Sequence, residues 1–194
     1  MPSSSIIVEY LMSLKAKDAN MSLAYVYCEY LERRDHTAAN LLANIAQQLI
    51  HDDSTMLKTL LSLYRHHLGQ RTRPTLSDWS NLLQSGVRRQ SRVFILIDAI
   101  DERRDEDGTV DDFLRELKGL TPDVHLFITS RPSSTIEREL KIATHMEIRA
   151  RDPDIRAYVH DHITRGPRLQ RLVDREPTLK AAIADTVIEK SQGM

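Results

Sequence analysis

The sequence predicts an α/β fold in three layers, a parallel sheet covered on both faces by helices. Three observations predict it. Leu23–Cys28, Val93–Ile97 and Val124–Thr129 are strand-sized runs, apolar or aromatic nearly throughout. Segments with helical spacing separate them, and continuous apolar strands joined through helices are the mark of a parallel sheet buried on both sides. The second and third runs stop abruptly at polar residues, as strands do when their carboxyl ends open onto a ligand crevice.

Each element has its own local reason. Ser3, Ser4 or Ser5 offers a cap to a helix running to about Lys17, with Ile6, Ile7, Tyr10, Leu11 and Leu14 on one side. The run from Leu23 to Cys28 is rich in aromatic and β-branched residues and reads as a strand. From about Thr37 to Ile50, Leu41, Leu42, Ile45, Ala46 and Leu49 recur at helical spacing. Ser54 to Leu68 carries a second stripe, Leu57, Leu60, Leu61 and Tyr64, expected to be buried. After a connection at 69–74, Ser77 and Asp78 are candidate caps for a short helix through Trp79, Leu82, Leu83 and Val87. Beyond the strand at 93–97 come a helix from about Val110 to Leu120, the strand at 124–129, a helix with Ile136 and Leu140, and a short strand around Met146–Ile148. The remainder reads as helices at 153–163, 169–174 and 178–190. The expected division is a core over 1–150 and a helical segment over 151–194.

Composition narrows the function classes. The 194 residues carry 27 Lys plus Arg against 28 Asp plus Glu, so no basic field for nucleic acid and no polybasic membrane footprint is present. No apolar run is long enough for a transmembrane helix, and the start, MPSSSIIVEYL, lacks the pattern of a signal peptide. A single cysteine, Cys28, excludes an intrachain disulfide and reads as a buried structural residue. The expected location is the cytoplasm.

The chemistry, if any, belongs at the two polar strand ends. In VFILIDAIDE, residues 93–102, the strand delivers Asp98 at its tip with Asp101 and Glu102 one turn on. Three carboxylates so close repel unless a cation offsets them, and Mg²⁺ carrying phosphate oxygens is the usual solution. A solvated acidic loop is the alternative, since Asp105, Glu106, Asp107, Asp111 and Asp112 continue the charge run. In LFITSRP, residues 126–132, Thr129 and Ser130 offer hydroxyls and Arg131 a guanidinium suited to a phosphate. A surface arginine beside a turn is the alternative there.

These two segments, their order and their separation resemble the NACHT-type nucleotide-binding domains of fungal STAND proteins, including the nephrocystin-3-like subset. The matching motifs are Ile97-Asp98-Ala99-Ile100-Asp101-Glu102 and Val124-His125-Leu126-Phe127-Ile128-Thr129-Ser130-Arg131-Pro132. The likeness extends to 24–30, 37–49, 148–159 and 188–194. It implies a P-loop NTPase-like sheet, Asp98 as the aspartate that holds Mg²⁺, Asp101 and Glu102 as the acidic pair associated with water positioning or switching, and Arg131 as the phosphate sensor. Thr129 and Ser130 are its neighbours in the nucleotide site. In intact relatives the implied cofactors are Mg²⁺ with ATP or GTP, the implied role a signalling switch, and the implied partners proteins or further copies. Arg103 departs from the family, which often has cysteine there.

One departure is larger. No G-x-x-x-x-G-K-[ST] occurs, and the six glycines are isolated from one another. A phosphate cradle needs successive glycine-rich backbone N–H groups and a lysine. The resemblance puts that loop and its central strand just before residues 3–17, so the expectation is a fragment lacking the first strand. The strands near 23, 93 and 124 should then stay adjacent, while the one near 147 loses its neighbour. The main reading is a NACHT-like switch module, incompetent as this chain; the alternative is a non-catalytic α/β protein-interaction module. The pairs His66-His67 and His160/His162, the arginines at 71, 73, 88, 89 and 92, and the amphipathic helix at 54–68 all have simpler explanations as solvated or core-facing surfaces.

Overall fold

A computed structural model describes residues 2–18, 20–28, 37–51, 53–102, 108–120, 124–141, 143–148 and 150–191. The chain divides into two compact units, Met1–Lys141 and Ile142–Met194. The first contains α1 (Pro2–Lys15), β1 (Met21–Tyr27), α2 (Ala38–Ile50), α3 (Ser54–Gln70), α4 (Leu76–Val87), β2 (Arg92–Asp98), a 3-10 turn (Ile100–Glu102), α5 (Thr109–Gly119), β3 (Val124–Ile128) and α6 (Ser134–Glu139). It is a mixed α/β fold with a small open sheet packed against several helices.

The three strands are parallel in the order β1-β2-β3. Ala24 lies beside Ile95 and Val26 beside Ile97, and these in turn sit beside Leu126 and Ile128. Side chains alternate across a strand, so this register puts Ala24, Val26, Val93, Ile95 and Ile97 on one face. That face forms the main core with Leu41, Leu42, Ile45 and Ala46 of α2, Leu82, Leu83 and Val87 of α4, and Phe113, Leu114 and Leu117 of α5. On the opposite face Leu11 of α1 packs with Met21 and Leu23, joined by the half-buried Tyr25 and Phe94. Toward β3 this second face is open: Phe94 stacks on His125 at 4.8 Å between ring centroids, and His125 is exposed. The outer edge of β1 is blunted by a side chain. Gln48 of α2 accepts from Tyr25 N–H at 3.0 Å and donates to Tyr25 C=O at 2.8 Å, standing in for a neighbouring strand.

The helices fall where their periodicity places them, but two faces and two caps differ from expectation. Ser3–Ser5 lie inside α1 rather than capping it. Its buried stripe is Ser4, Val8 and Leu11, while Ile6 and Tyr10 point outward; resting on part of one sheet face, α1 buries a narrow strip only. The cap of α4 is Thr75, whose hydroxyl accepts from Asp78 N–H in a reciprocal capping box; Ser77 and Asp78 sit within the first turn. In α3 the expected stripe is largely exposed. Met56 and His67 are buried, with Leu60 half-buried against the core, because α4 contacts the helix along that side. His67 is held there by Thr72 Oγ1 at 2.7 Å and Asp78 Oδ2 at 3.2 Å.

Residues 144–148 form no strand. Met146 and Ile148 are 75% and 65% exposed. A strand gains nothing over coil without a ladder. The second unit comprises α7 (Asp152–Arg165), α8 (Pro167–Arg175) and α9 (Thr178–Ser191). Val159, Ile163, Val173 and Ala184 form its core, and Arg156 of α7 reaches Asp185 of α9 at 2.6 Å.

Candidate functional site

The carboxyl ends of β2 and β3 lie side by side because Ile97 and Ile128 are partners in register. The ladder runs one step further: Thr129 N–H donates to Ile97 C=O at 2.9 Å and Ile100 N–H to Thr129 C=O at 3.1 Å. On the other side Cys28 N–H donates to Asp98 C=O at 2.9 Å. Asp98 is therefore held on the β1 side through its own carbonyl and on the β3 side through Ile97 and Ile100. Two-residue periodicity turns its side chain toward the face that α1 covers.

There Asp98, only 4% exposed, accepts at Oδ1 from two hydroxyls. Ser4 Oγ of α1 and Thr129 Oγ1 each stand 2.5 Å away. Buried carboxylates need such partners, and charge-assisted bonds are the stronger kind. Thr129 Oγ1 also accepts from Ala99 N–H at 2.8 Å. This bond holds Ala99 at a φ of 56°, a left-handed conformation that costs a non-glycine residue roughly 1–2 kcal/mol. Such backbone outliers persist where surrounding contacts over-determine them. The turn they create sends the chain into the 3-10 segment that carries Asp101 and Glu102.

Asp101 faces β3's continuation. Its Oδ1 accepts from Arg131 N–H at 2.9 Å and its Oδ2 from Arg131 Nε at 2.6 Å. The hydrogen bond and the charge of Asp101, with a smaller contribution from the charge of Glu102, hold the Arg131 guanidinium above its ordinary pKa. The Arg131 side chain remains 68% exposed and Asp101 only 12%, so the pair contributes modestly to stability. Glu102 is half-buried, and Ser130 is exposed at the rim.

All six residues singled out by the sequence, Asp98, Asp101, Glu102, Thr129, Ser130 and Arg131, thus belong to one edge of the sheet. Among the described residues no group of three or more His, Cys, Asp or Glu side chains is arranged to hold a metal ion. The reason lies in the partners: Asp98 turns to hydroxyls and Asp101 to a guanidinium. The continuing acidic run at 105–107 lies outside the described residues. Ser4 is the participant that pattern reading missed. Its signal was its spacing from Val8 and Leu11, which places a serine on the buried stripe of α1.

Residues 3–131 match the family model described as Nephrocystin 3, N-terminal. The chain belongs to that family. The matched span runs from the first turn of α1 to Arg131, so the nephrocystin-3 N-terminal region contains the whole sheet and every residue of the Asp98 and Asp101 networks. No curated protein and no solved structure matches the chain. Among the described residues no helix is long and apolar enough to cross a membrane.

Proposed function

We propose that this nephrocystin-3 N-terminal chain is a non-catalytic α/β interaction module, built on a scaffold like that of NACHT-type P-loop switches but not using it to hydrolyse nucleotide. The observation that carries the reading is that the key strand-end polar groups are turned to partners within the chain. Asp98 accepts two hydroxyls, and Arg131 is closed onto Asp101 through both its backbone N–H and its Nε. A Mg-nucleotide fits these residues poorly. It would compete with Ser4 and Thr129 for the Asp98 carboxylate and with Asp101 for the Arg131 guanidinium, and the sequence has no glycine-lysine loop to supply the backbone N–H cradle. In this reading the two networks are pins that hold the strand ends, the 3-10 turn and α1 in place. Residues 151–194 are read as a helical segment of their own.

Isothermal calorimetry with Mg-ATP and Mg-GTP on the folded chain tests the proposal. Weak or absent binding is expected. A dissociation constant near 1 μM, about −8 kcal/mol, would overturn it and restore the switch reading, in which Asp98 holds Mg²⁺ and Arg131 senses phosphate.

A further inference from the structure

The exposed side of α3 is patterned as a coiled-coil seam. Leu57, Leu61, Tyr64 and Leu68 are 43%, 46%, 60% and 66% exposed, and their spacing of four, three and four residues is that of alternating d and a positions in a heptad. In that frame the e positions are Lys58 and Arg65, and the g positions are Leu60 and His67, which face the protein's own core. Both free flanking positions are therefore basic. Among the described residues neither Lys58 nor Arg65 takes part in an ion pair. From Ser54 to Ser77 the chain has Lys58, Arg65, Arg71 and Arg73 and no Asp or Glu, with Asp52, Asp53 and Asp78 just outside.

We propose that α3 is a docking helix for an acidic amphipathic helix of a partner protein, one with an apolar a/d seam and Glu or Asp beside it. A second copy of the chain suits the seam less well. Antiparallel pairing sets e against e, which brings Lys58 and Arg65 against the same basic residues, and parallel pairing sets them against Leu60 and His67. A lipid surface suits it less well too. Interfacial helices present a broad apolar face of Trp, Phe or Leu, whereas this stripe follows a narrow a/d seam with a single aromatic residue, Tyr64. The electrostatic complement gives direction and partner choice, and the seam gives contact area. This inference deepens the interaction-module reading and rests on it.

The test uses the full chain and two fluorescent synthetic peptides, each about three heptads long with Leu at a and d. One has Glu at e and g, the other Lys. Fluorescence anisotropy is expected to show the Glu peptide binding at least about tenfold more tightly than the Lys peptide, with the preference weakening as salt rises. The double variant Lys58→Glu/Arg65→Glu should reverse the preference, and Leu61→Gln should weaken both by a similar factor; circular dichroism confirms that each variant is folded. Equal binding of the two peptides, no binding to either, vesicle binding to phosphatidylserine without peptide binding, or a dimer in sedimentation that Leu61→Gln dissolves would each overturn the proposal. Failure here alongside absent nucleotide binding leaves the module reading standing on another surface. Micromolar nucleotide binding removes that reading and leaves the peptide result as measured.

Discussion

Replacing Thr129 by Val tests whether the strand-end network is a structural pin. The two side chains have nearly the same shape, so packing around β3 is preserved and the change is chemical. Two bonds vanish, one to the Asp98 carboxylate at 2.5 Å and one from Ala99 N–H at 2.8 Å. A bond to a charged group contributes roughly 1.5–3 kcal/mol, and an amide left without its partner costs about 1 kcal/mol where water can partly reach it. Ala99 is half-buried, so the lower figure applies, and the expected loss is about 2.5–4 kcal/mol. Urea unfolding followed by fluorescence measures it. The only tryptophan, Trp79, packs against the core of the first unit, so the signal reports that unit. Thr129→Ser should recover most of the loss, since it keeps the hydroxyl. Ser4→Ala removes the second donor to the same oxygen, so the double variant should depart from additivity by more than about 0.5 kcal/mol. A Thr129→Val midpoint within about 0.5 kcal/mol of the parent at unchanged slope would refute the reasoning, because Asp98 would then not depend on that hydroxyl.

Other outcomes follow from single features. Leu42, fully buried beneath the sheet, should lose about 2–5 kcal/mol on replacement by Ala, whereas Leu61→Ala should lose less than about 1 kcal/mol because its side chain already meets solvent; equal losses would mean α3 is turned the other way. Arg71 ends α3 in the left-handed conformation, φ 55°, so Arg71→Gly should raise stability by about 1 kcal/mol, and a lower urea midpoint would contradict that geometry. Asp53 caps α3; burial opposes its ionisation, but bonds from Met56 N–H, Arg89 and Thr55 N–H prevail and its pKa lies below the ordinary value. A depressed carboxylate stabilises the fold above its unfolded pKa and loses that contribution as pH falls through the folded one. The urea midpoint should therefore fall as pH drops below about 4, and less steeply in Asp53→Asn; identical pH profiles for parent and variant would exclude the mechanism.

The sequence by itself determined the three parallel strands and most helix spans of this protein. Val93–Ile97 is apolar throughout and Val124–Ile128 apolar but for His125, and Leu41, Leu42, Ile45, Ala46 and Leu49 can face one way only. It also determined that Asp98 and Arg131 would share an edge, since both follow parallel strands whose tips point alike. Local pattern cannot show which apolar face finds a neighbour. Leu57, Leu61, Tyr64 and Leu68 have the same periodicity as a core stripe, and only the placement of α4 against Met56 and His67 left them in solvent. Met146 and Ile148 alternate as a strand does, yet alternation alone does not make a ladder. The direction of each carboxylate was equally beyond pattern. Ser4 is 94 residues from Asp98 in sequence, and only the packing of α1 on the second sheet face brings its hydroxyl there, while Asp101 is turned away by an arginine just beyond the end of β3. Spacing along a chain sets which side of an element a residue occupies; what waits on that side is set by the elements folded against it.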